Sequence, residues 1–172
     1  MKLFSLLFSA ALYVLSYSPF NYKILIFVSL VIFFKVIEDV SLKNKIRYTF
    51  FYAFLIHAFG VSWVSESLTT YGLMSIVGSI LVTTLFIIII SLPYISIALL
   101  HKPIKKNGIY NINLLAVLFL VAEYIKSLFF GGFPWLLIGN SQNGTIFNFI
   151  YPVFGTFMVS YIVVLMSSLF YK

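Results

Sequence analysis

Residues 81–92 read LVTTLFIIIISL and contain no charged side chain. Residues 24–34, ILIFVSLVIFF, form a second run of the same kind. Such runs are typical of helices that cross a lipid bilayer rather than of helices in a soluble core. Of the 172 residues, 62% are hydrophobic and 9% are charged, whereas soluble domains are about half apolar. We therefore expect an all-α, polytopic membrane helix bundle that forms a single transmembrane domain over residues 1–172.

Six transmembrane helices are predicted from the apolar segments, because a spanning helix needs about 20 residues. Pro19 should end the first helix, and Pro93 should kink the fourth, since proline lacks a backbone N–H. The first segment also resembles a secretory signal peptide, and a retained first membrane helix is the alternative. The six predicted helices cover residues 3–16, 22–36, 46–65, 73–100, 112–130 and 149–171.

The net charge of +7 is concentrated in two short segments between apolar runs. Cytoplasmic loops carry an excess of lysine and arginine, so both segments and both chain termini are predicted to lie in the cytoplasm. This clustering indicates membrane topology and argues against a nucleic-acid partner. The basic residues of the two segments are Lys35, Lys43, Lys45 and Arg47, and then Lys102, Lys105 and Lys106.

Several kinds of chemistry are disfavoured by composition and spacing. The chain has no cysteine, which excludes a cysteine nucleophile and a thiolate metal site within these residues. His57 has no second histidine or carboxylate at ligand spacing, so we expect a neutral imidazole bonded to a neighbouring hydroxyl or carbonyl. Ser141 lacks a G-x-S-x-G frame, which disfavours a serine nucleophile. No metal and no cofactor are expected.

Glu123 lies well inside the fifth predicted helix, where a carboxylate should face the bundle interior. Lys126 is three residues further on the same helix face and is the natural partner. An internal ion pair and a role at a substrate-facing surface are both compatible with this pattern. Glu38 and Asp39 fall in the first basic segment, where we expect them to be solvated counter-charges.

The stretch FFGGFPWLLIGNSQ, residues 129–142, predicts a tight turn between the fifth and sixth helices. Gly131 and Gly132 permit the turn, and Pro134 blocks a helical continuation. Residues 131–148 contain no lysine or arginine, so the turn is expected on the outer face, with the polar groups of residues 139–142 directed outward.

Residues 123–126, EYIK, followed by residues 130–142, FGGFPWLLIGNSQ, resemble the apolipoprotein N-acyltransferases. In that family a helix end of the type E-W-[LI]-R leads into a loop of the type T-G-F-P-W-L-x-L-G-Y-S-Q. Residues 15–20, 62–72 and 152–160 agree with the family more loosely. The chain departs from the usual family residue at three positions, where Lys126 replaces arginine, Asn140 replaces tyrosine and Met158 replaces glycine.

The resemblance implies transfer of a phospholipid acyl chain to the N-terminal amine of a diacylglyceryl-cysteine lipoprotein in the bacterial cytoplasmic (inner) membrane. The family's Glu-Lys-Cys triad belongs to a nitrilase-like domain outside the membrane, and these residues contain no cysteine. The expected function is therefore that of the membrane domain alone, as a fragment, split subunit or truncated product. Its expected partners are phospholipid, the lipoprotein and a separate nitrilase-like polypeptide.

By the same resemblance, a surface around residues 129–142 would face the substrate or the catalytic domain. A six-helix transporter and a non-catalytic membrane assembly protein are the alternatives. A transporter would need several polar residues along one midplane path, for which only His57, Glu123 and Lys126 qualify. The candidate surface residues are Trp63, Glu66, Glu123, Lys126, Phe133, Pro134, Trp135, Asn140 and Gln142.

Overall fold

The computed structural model describes residues 2–101 and 109–172, and all regular elements in these ranges are helical. This confirms the predicted all-α class. Short 3-10 turns occur between the longer helices. The helices are α1 (Lys2–Leu15), α2 (Leu25–Ile37), α3 (Leu42–Val61), α4 (Trp63–Thr70), α5 (Ile76–Ser91), α6 (Ile95–Leu100), α7 (Ile109–Leu128) and α8 (Tyr151–Tyr171).

Three helical segments of the described chain are long and apolar enough to cross a membrane: Ile76–Leu100, Asn111–Gly131 and Tyr151–Tyr171. Helices α3 and α4 meet at a bend of 47° and add a fourth span if they cross as one unit. Helices α1 and α2 are apolar but shorter. The predicted number of six spans therefore requires α1 and α2 to cross as well.

Several helix boundaries differ from the predicted ones by three or four residues: the second predicted helix begins at Leu25 and the fifth at Ile109, and the third and fourth differ as well. The third predicted helix, residues 46–65, instead begins at Leu42 and ends at Val61, before the separate helix α4. The fourth begins at Ile76 rather than at residue 73, because the Ser75 side chain accepts a hydrogen bond from the Gly78 N–H at 3.2 Å and caps the helix. The predicted irregularity at Pro93 is a 3-10 turn that joins α5 to α6.

The centre of the bundle is built from close helix contacts and stacked rings. Ser9 of α1 donates to the carbonyl of Ser29 in α2 at 2.7 Å, and Ser29 shares a hydrogen bond of 2.8 Å with Tyr52 of α3. Small hydroxyl residues allow helices to approach closely within a membrane. The ring of Phe33 stacks on Tyr52 at 4.2 Å and meets Phe119 edge-on at 6.0 Å, which joins α2, α3 and α7.

One end of the bundle, which we call the basic end, collects the N-terminus, the α2–α3 connection, the end of α6 and the C-terminus. Lys2 donates to the Val36 carbonyl at 3.5 Å, and Lys45 donates to the His101 carbonyl at 3.4 Å. Burial, with Lys45 nearby, lowers the pKa of His101 to about 4, so this imidazole is neutral at pH 7. The second predicted basic segment, with Lys102, Lys105 and Lys106, lies outside the described residues.

The solvated position predicted for Glu38 is wrong. This side chain is 5% exposed, and its carboxylate lies 3.6 Å from the His101 ring. Asp39 is exposed, as expected for a solvated counter-charge. The α2–α3 connection turns immediately after α2, which places Glu38 beneath the end of α6 and leaves Asp39 at the surface.

The opposite end of the bundle contains the turn between α1 and α2, the α3–α4 bend and residues 129–142. We call residues 129–142 the elbow. At Gly139 the elbow approaches α8 so closely that an added Cβ would overlap the Thr156 carbonyl oxygen and lie 3.1 Å from the Ser160 nitrogen. Both are backbone atoms of a helix and cannot move aside, so this position requires glycine.

We predict that Gly139→Ala destabilises the protein by about 2 kcal/mol or more, because the overlap forces the elbow away from α8. The measurement is the midpoint of thermal unfolding in detergent. The matched control is Gly60→Ala, whose Cβ would meet the Leu136 side chain, a group able to change rotamer. Equal losses for the two variants would contradict the requirement for close backbone contact.

Candidate functional site

The elbow has an irregular backbone. Its peptide N–H and C=O groups lack the regular hydrogen bonds of a helix and need other partners. Helix α7 ends at Leu128, and Gly131 and Gly132 have φ values of 77° and 117°. This confirms the predicted glycine turn. The elbow contains two short 3-10 turns, Phe129–Gly131 and Ile138–Gln142. Irregular backbone at membrane depth is tolerated only where surrounding protein or water satisfies its polar groups.

Helix α7 supplies two of these partners. The Lys126 ammonium donates to the Trp135 carbonyl at 2.6 Å, and the Ile138 N–H donates to the Glu123 carboxylate at 2.6 Å. Both charged side chains are 0% exposed. Each of the two therefore binds a backbone group of the elbow, and these bonds to charged partners are of the stronger kind.

The end of α1 and the following turn supply two tyrosines. The Tyr13 hydroxyl donates to the Leu136 carbonyl, and the Tyr17 hydroxyl donates to the Leu137 carbonyl, each at 2.9 Å. The two rings stack with centroids 5.5 Å apart. Two successive carbonyls of the elbow are thus satisfied by side chains four residues apart near the N-terminus.

Helix α8 binds the elbow at Gly139. The Gly139 N–H donates to the Ser160 hydroxyl at 2.8 Å, and the Tyr151 hydroxyl donates to the Gly139 carbonyl at 2.6 Å. Every residue from 135 to 139 therefore has a backbone group bound by a side chain of α1, α7, α8 or the α1–α2 turn. We call these six side chains the elbow cradle: Tyr13, Tyr17, Glu123, Lys126, Tyr151 and Ser160.

Sequence analysis identified two members of the cradle and missed four. Tyr13 and Leu136 are 123 positions apart in the chain, so no local pattern connects them. Ser160 had been noted only within a loosely matching segment. The hydroxyl side chains in otherwise apolar helices could have indicated the missing residues, since a buried hydroxyl group needs a hydrogen-bond partner.

The predicted Glu123–Lys126 pair is buried, but it is not a direct salt bridge. The Glu123 and Lys126 side chains each bind a backbone group of the elbow rather than each other. Glu123 uses one carboxylate oxygen for the Ile138 N–H, and its second oxygen, Oε2, has no hydrogen-bond partner among the described residues. The two charges are three residues apart on α7 and are joined through the elbow backbone that both of them bind.

The remaining candidate surface residues divide by exposure. Trp63 and Trp135 are 46% and 48% exposed, and their rings lie 5.3 Å apart. Phe133 is partly buried and stacks on Trp135 at 6.1 Å. The other exposed members are Glu66, Pro134 and Asn140. These residues form an aromatic surface with polar neighbours at the elbow end.

The outward direction predicted for the polar groups of residues 139–142 is wrong for two of them. Ser141 is 1% exposed and donates to the Ile138 carbonyl at 2.7 Å. Gln142 is 3% exposed, and its amide donates to the Lys23 carbonyl at 3.0 Å. The 3-10 turn directs both side chains inward and leaves Asn140 exposed. Ser141 bonds within the elbow, whereas Gln142 connects the elbow to the α1–α2 turn.

A cleft of about 510 Å³ opens between the α1–α2 turn, the end of α3 and the elbow. The described residues contain no group of three histidine, aspartate or glutamate side chains that could bind a metal ion. The lining of the cleft includes Tyr17, Lys23, Gly60, Trp135, Asn140 and Asn143.

His57 is bonded to a hydroxyl, as predicted from the sequence. Its Nδ1 lies 2.9 Å from the Ser91 hydroxyl. The ring also meets Tyr94 edge-on at 5.7 Å, and the Lys126 ammonium lies 5.9 Å from the same Tyr94 ring. The buried Tyr94 ring therefore lies against both His57 and Lys126.

The sequence profile described as the apolipoprotein N-acyltransferase N-terminal domain matches residues 9–169. The chain belongs to this family. The match confirms the resemblance, which rests on segments spread from residue 15 to residue 160. The elbow, its cradle and the adjoining cleft are thus features of an apolipoprotein N-acyltransferase N-terminal domain.

Relatives named apolipoprotein N-acyltransferase are similar along nearly the whole chain. The protein of Pasteurella multocida is 27% identical over 171 residues, which cover 98% of this chain and 32% of the relative. That of Methylococcus capsulatus is 29% identical over 159 residues, or 90% of this chain and 31% of the relative. That of Haemophilus influenzae is 29% identical over 165 residues, or 95% and 31%. The chain thus spans about a third of the length of the curated relatives it matches.

We predict that Glu123 and Lys126 are energetically coupled in this N-terminal domain. Glu123→Leu should cost about 2–3 kcal/mol, because it leaves the Ile138 N–H unpaired and Lys126 without a nearby opposite charge. The double variant Glu123→Leu/Lys126→Leu should cost less than the sum of the single variants by about 1 kcal/mol or more.

The measurement is the free energy of unfolding in mixed detergent micelles. Glu123→Gln is the matched control, since its amide oxygen can still accept the Ile138 hydrogen bond. Strictly additive losses would show that the two side chains bind the elbow independently and would remove the coupling.

Proposed function

We propose that this chain is the membrane platform of an apolipoprotein N-acyltransferase and that its elbow end supports a nitrilase-like catalytic domain. The observation that carries the proposal is the cradle, which fixes an irregular loop next to exposed aromatic side chains. A soluble domain that docks on a membrane protein needs such a rigid surface, since ordering a loose loop would weaken binding.

The resemblance of this chain to the family implies acyl transfer through a cysteine thioester. These residues contain no cysteine, so the covalent steps belong to residues outside this chain, on a further segment or a separate polypeptide. The contribution of this chain is to bind the catalytic domain and to give it access to phospholipid and lipoprotein at the membrane surface.

The proposed orientation places the elbow end outside the cytoplasm. Of the basic residues that the structure describes, Lys2, Lys35, Lys43, Arg47 and Lys172 belong to segments at the basic end, and Lys45 lies there as well. Only Lys23 and the buried Lys126 lie near the elbow. The excess of positive charge on cytoplasmic loops supports this orientation in the bacterial inner membrane.

A transporter is less well supported. Two of its three candidate path residues, His57 and Lys126, contact the buried ring of Tyr94. Glu123 and Lys126 also form hydrogen bonds with the elbow backbone. Polar side chains that are fixed in this way serve the architecture of the bundle rather than a conduction path.

We predict that a cysteine placed at Asn140 reacts with a membrane-impermeant maleimide added outside intact cells. Asn140 is exposed at the elbow, and the chain has no other cysteine, so labelling reports this one position. Lys43→Cys at the basic end is the control and should react only after permeabilisation. The reverse pattern would contradict the proposed orientation.

We also predict that the chain binds the remaining two-thirds of a relative, such as the Haemophilus influenzae protein, when the two are co-expressed in a membrane. The complex should acylate a diacylglyceryl lipopeptide, and Trp135→Ala should weaken the complex about tenfold, as the loss of an aromatic anchor does. Co-purification and acylation by mass spectrometry are the measurements.

Phe170→Ala is the matched control, because Phe170 is an exposed aromatic residue of α8 at the basic end. The absence of any complex would contradict the platform function. An equal loss for Phe170→Ala would contradict docking at the elbow.

A further inference from the structure

The cleft beside the elbow has the composition of an anion site. Among the described residues that line it, Lys23 is the single charged side chain and none is a carboxylate. Tyr17, Asn140 and Asn143 add polar groups to the wall, while Trp135 adds an aromatic one. The cleft therefore carries a net positive charge next to uncharged hydrogen-bonding groups.

Lys23 is fixed in position by the elbow. Its carbonyl accepts a hydrogen bond from the Gln142 amide at 3.0 Å, and its ammonium donates to the Asn143 carbonyl. An ammonium group has three N–H donors, so two remain for a ligand. A cation held in this way loses little conformational entropy on binding an anion.

Asn140 and Asn143 supply neutral donors at the same cleft. Both residues are exposed, and the described part of the chain shows no hydrogen bond to either side-chain amide. Their NH₂ groups can donate to oxygen atoms beside the lysine. A fixed ammonium together with amide donors matches a phosphate group, which presents several acceptor oxygens.

We propose that this cleft binds the phosphate of a membrane phospholipid, with Lys23 as the contacting cation. Trp135 lines the cleft, and Trp63 lies against Trp135. Tryptophan is enriched at the depth of lipid headgroups, so the phosphate of a neighbouring lipid lies at the level of this cleft. The proposal deepens the platform function. It rests on that function only in one respect, because the proposed orientation decides which leaflet of the membrane supplies the lipid.

The two tryptophans make the site measurable without a label. Trp63 and Trp135 are the only tryptophans of the chain, and a phospholipid with brominated acyl chains quenches their fluorescence on binding. The purified chain in detergent is titrated with brominated phosphatidylethanolamine and, separately, with brominated diacylglycerol, which lacks the phosphate. Half-quenching should require about tenfold less phospholipid than diacylglycerol, as expected for a charged hydrogen bond.

Lys23→Gln should remove this preference, and Lys23→Arg should retain most of it, which separates loss of charge from misfolding. Lys43→Gln removes the same charge from the basic end and should leave the preference unchanged. Asn143→Ala, which keeps the backbone carbonyl that Lys23 binds, should weaken the preference about threefold, the loss expected for one neutral hydrogen bond.

Three results would overturn the proposal. The first is equal quenching by phospholipid and diacylglycerol. The second is displacement of the brominated phospholipid by millimolar inorganic phosphate, which would assign the site to a free anion. The third is a Lys23→Gln variant that keeps the phospholipid preference. If that variant also fails to bind the nitrilase-like polypeptide, the cleft serves protein docking instead. Because the titration uses this chain alone, its outcome does not depend on whether that polypeptide binds.

Discussion

Unpaired peptide groups are costly inside a membrane protein, and the elbow places five consecutive residues of irregular backbone against the bundle. The structure meets this cost with side chains: Lys126 and Glu123 from α7, two tyrosines from the end of α1 and the turn beyond it, and Tyr151 and Ser160 from α8. The elbow is therefore fixed by the same contacts that connect three helices. The position of the exposed aromatic side chains depends on this pairing.

The cradle changes the meaning of the buried charges. An ionisable residue inside a membrane protein suggests a ligand or a transport path, yet here each charge ends on a backbone group of the elbow. The charged side chains therefore have a structural role, and the candidate functional surface is the neighbouring part of the elbow that they hold in position. Trp63, Trp135 and Asn140 are exposed there, and the cleft with Lys23 opens beside them.

The fold class could be predicted from charge-free runs such as residues 81–92, because hydrophobicity over one helix length is a local property. The glycine turn could also be predicted, since Gly131 and Gly132 adopt conformations that other residues avoid. Tyr13, Tyr17 and Lys23 could not be assigned, because their partners lie about 120 residues away in the chain. The inward direction of Gln142 could not be predicted, because a shift of the 3-10 turn by one residue would change which of its side chains are exposed.

The long separation between the partners of the elbow has a consequence for biosynthesis. Peptide groups at residues 136 and 137 require tyrosines made at the start of translation, whereas Gly139 requires Tyr151 and Ser160 from the last helix described. A nascent chain that has inserted α1 to α7 still has open backbone groups at Gly139, which only α8 can close. The elbow thus reaches the hydrogen-bonded state seen here only after synthesis of α8, so the emergence of α8 from the ribosome times the closing of the elbow.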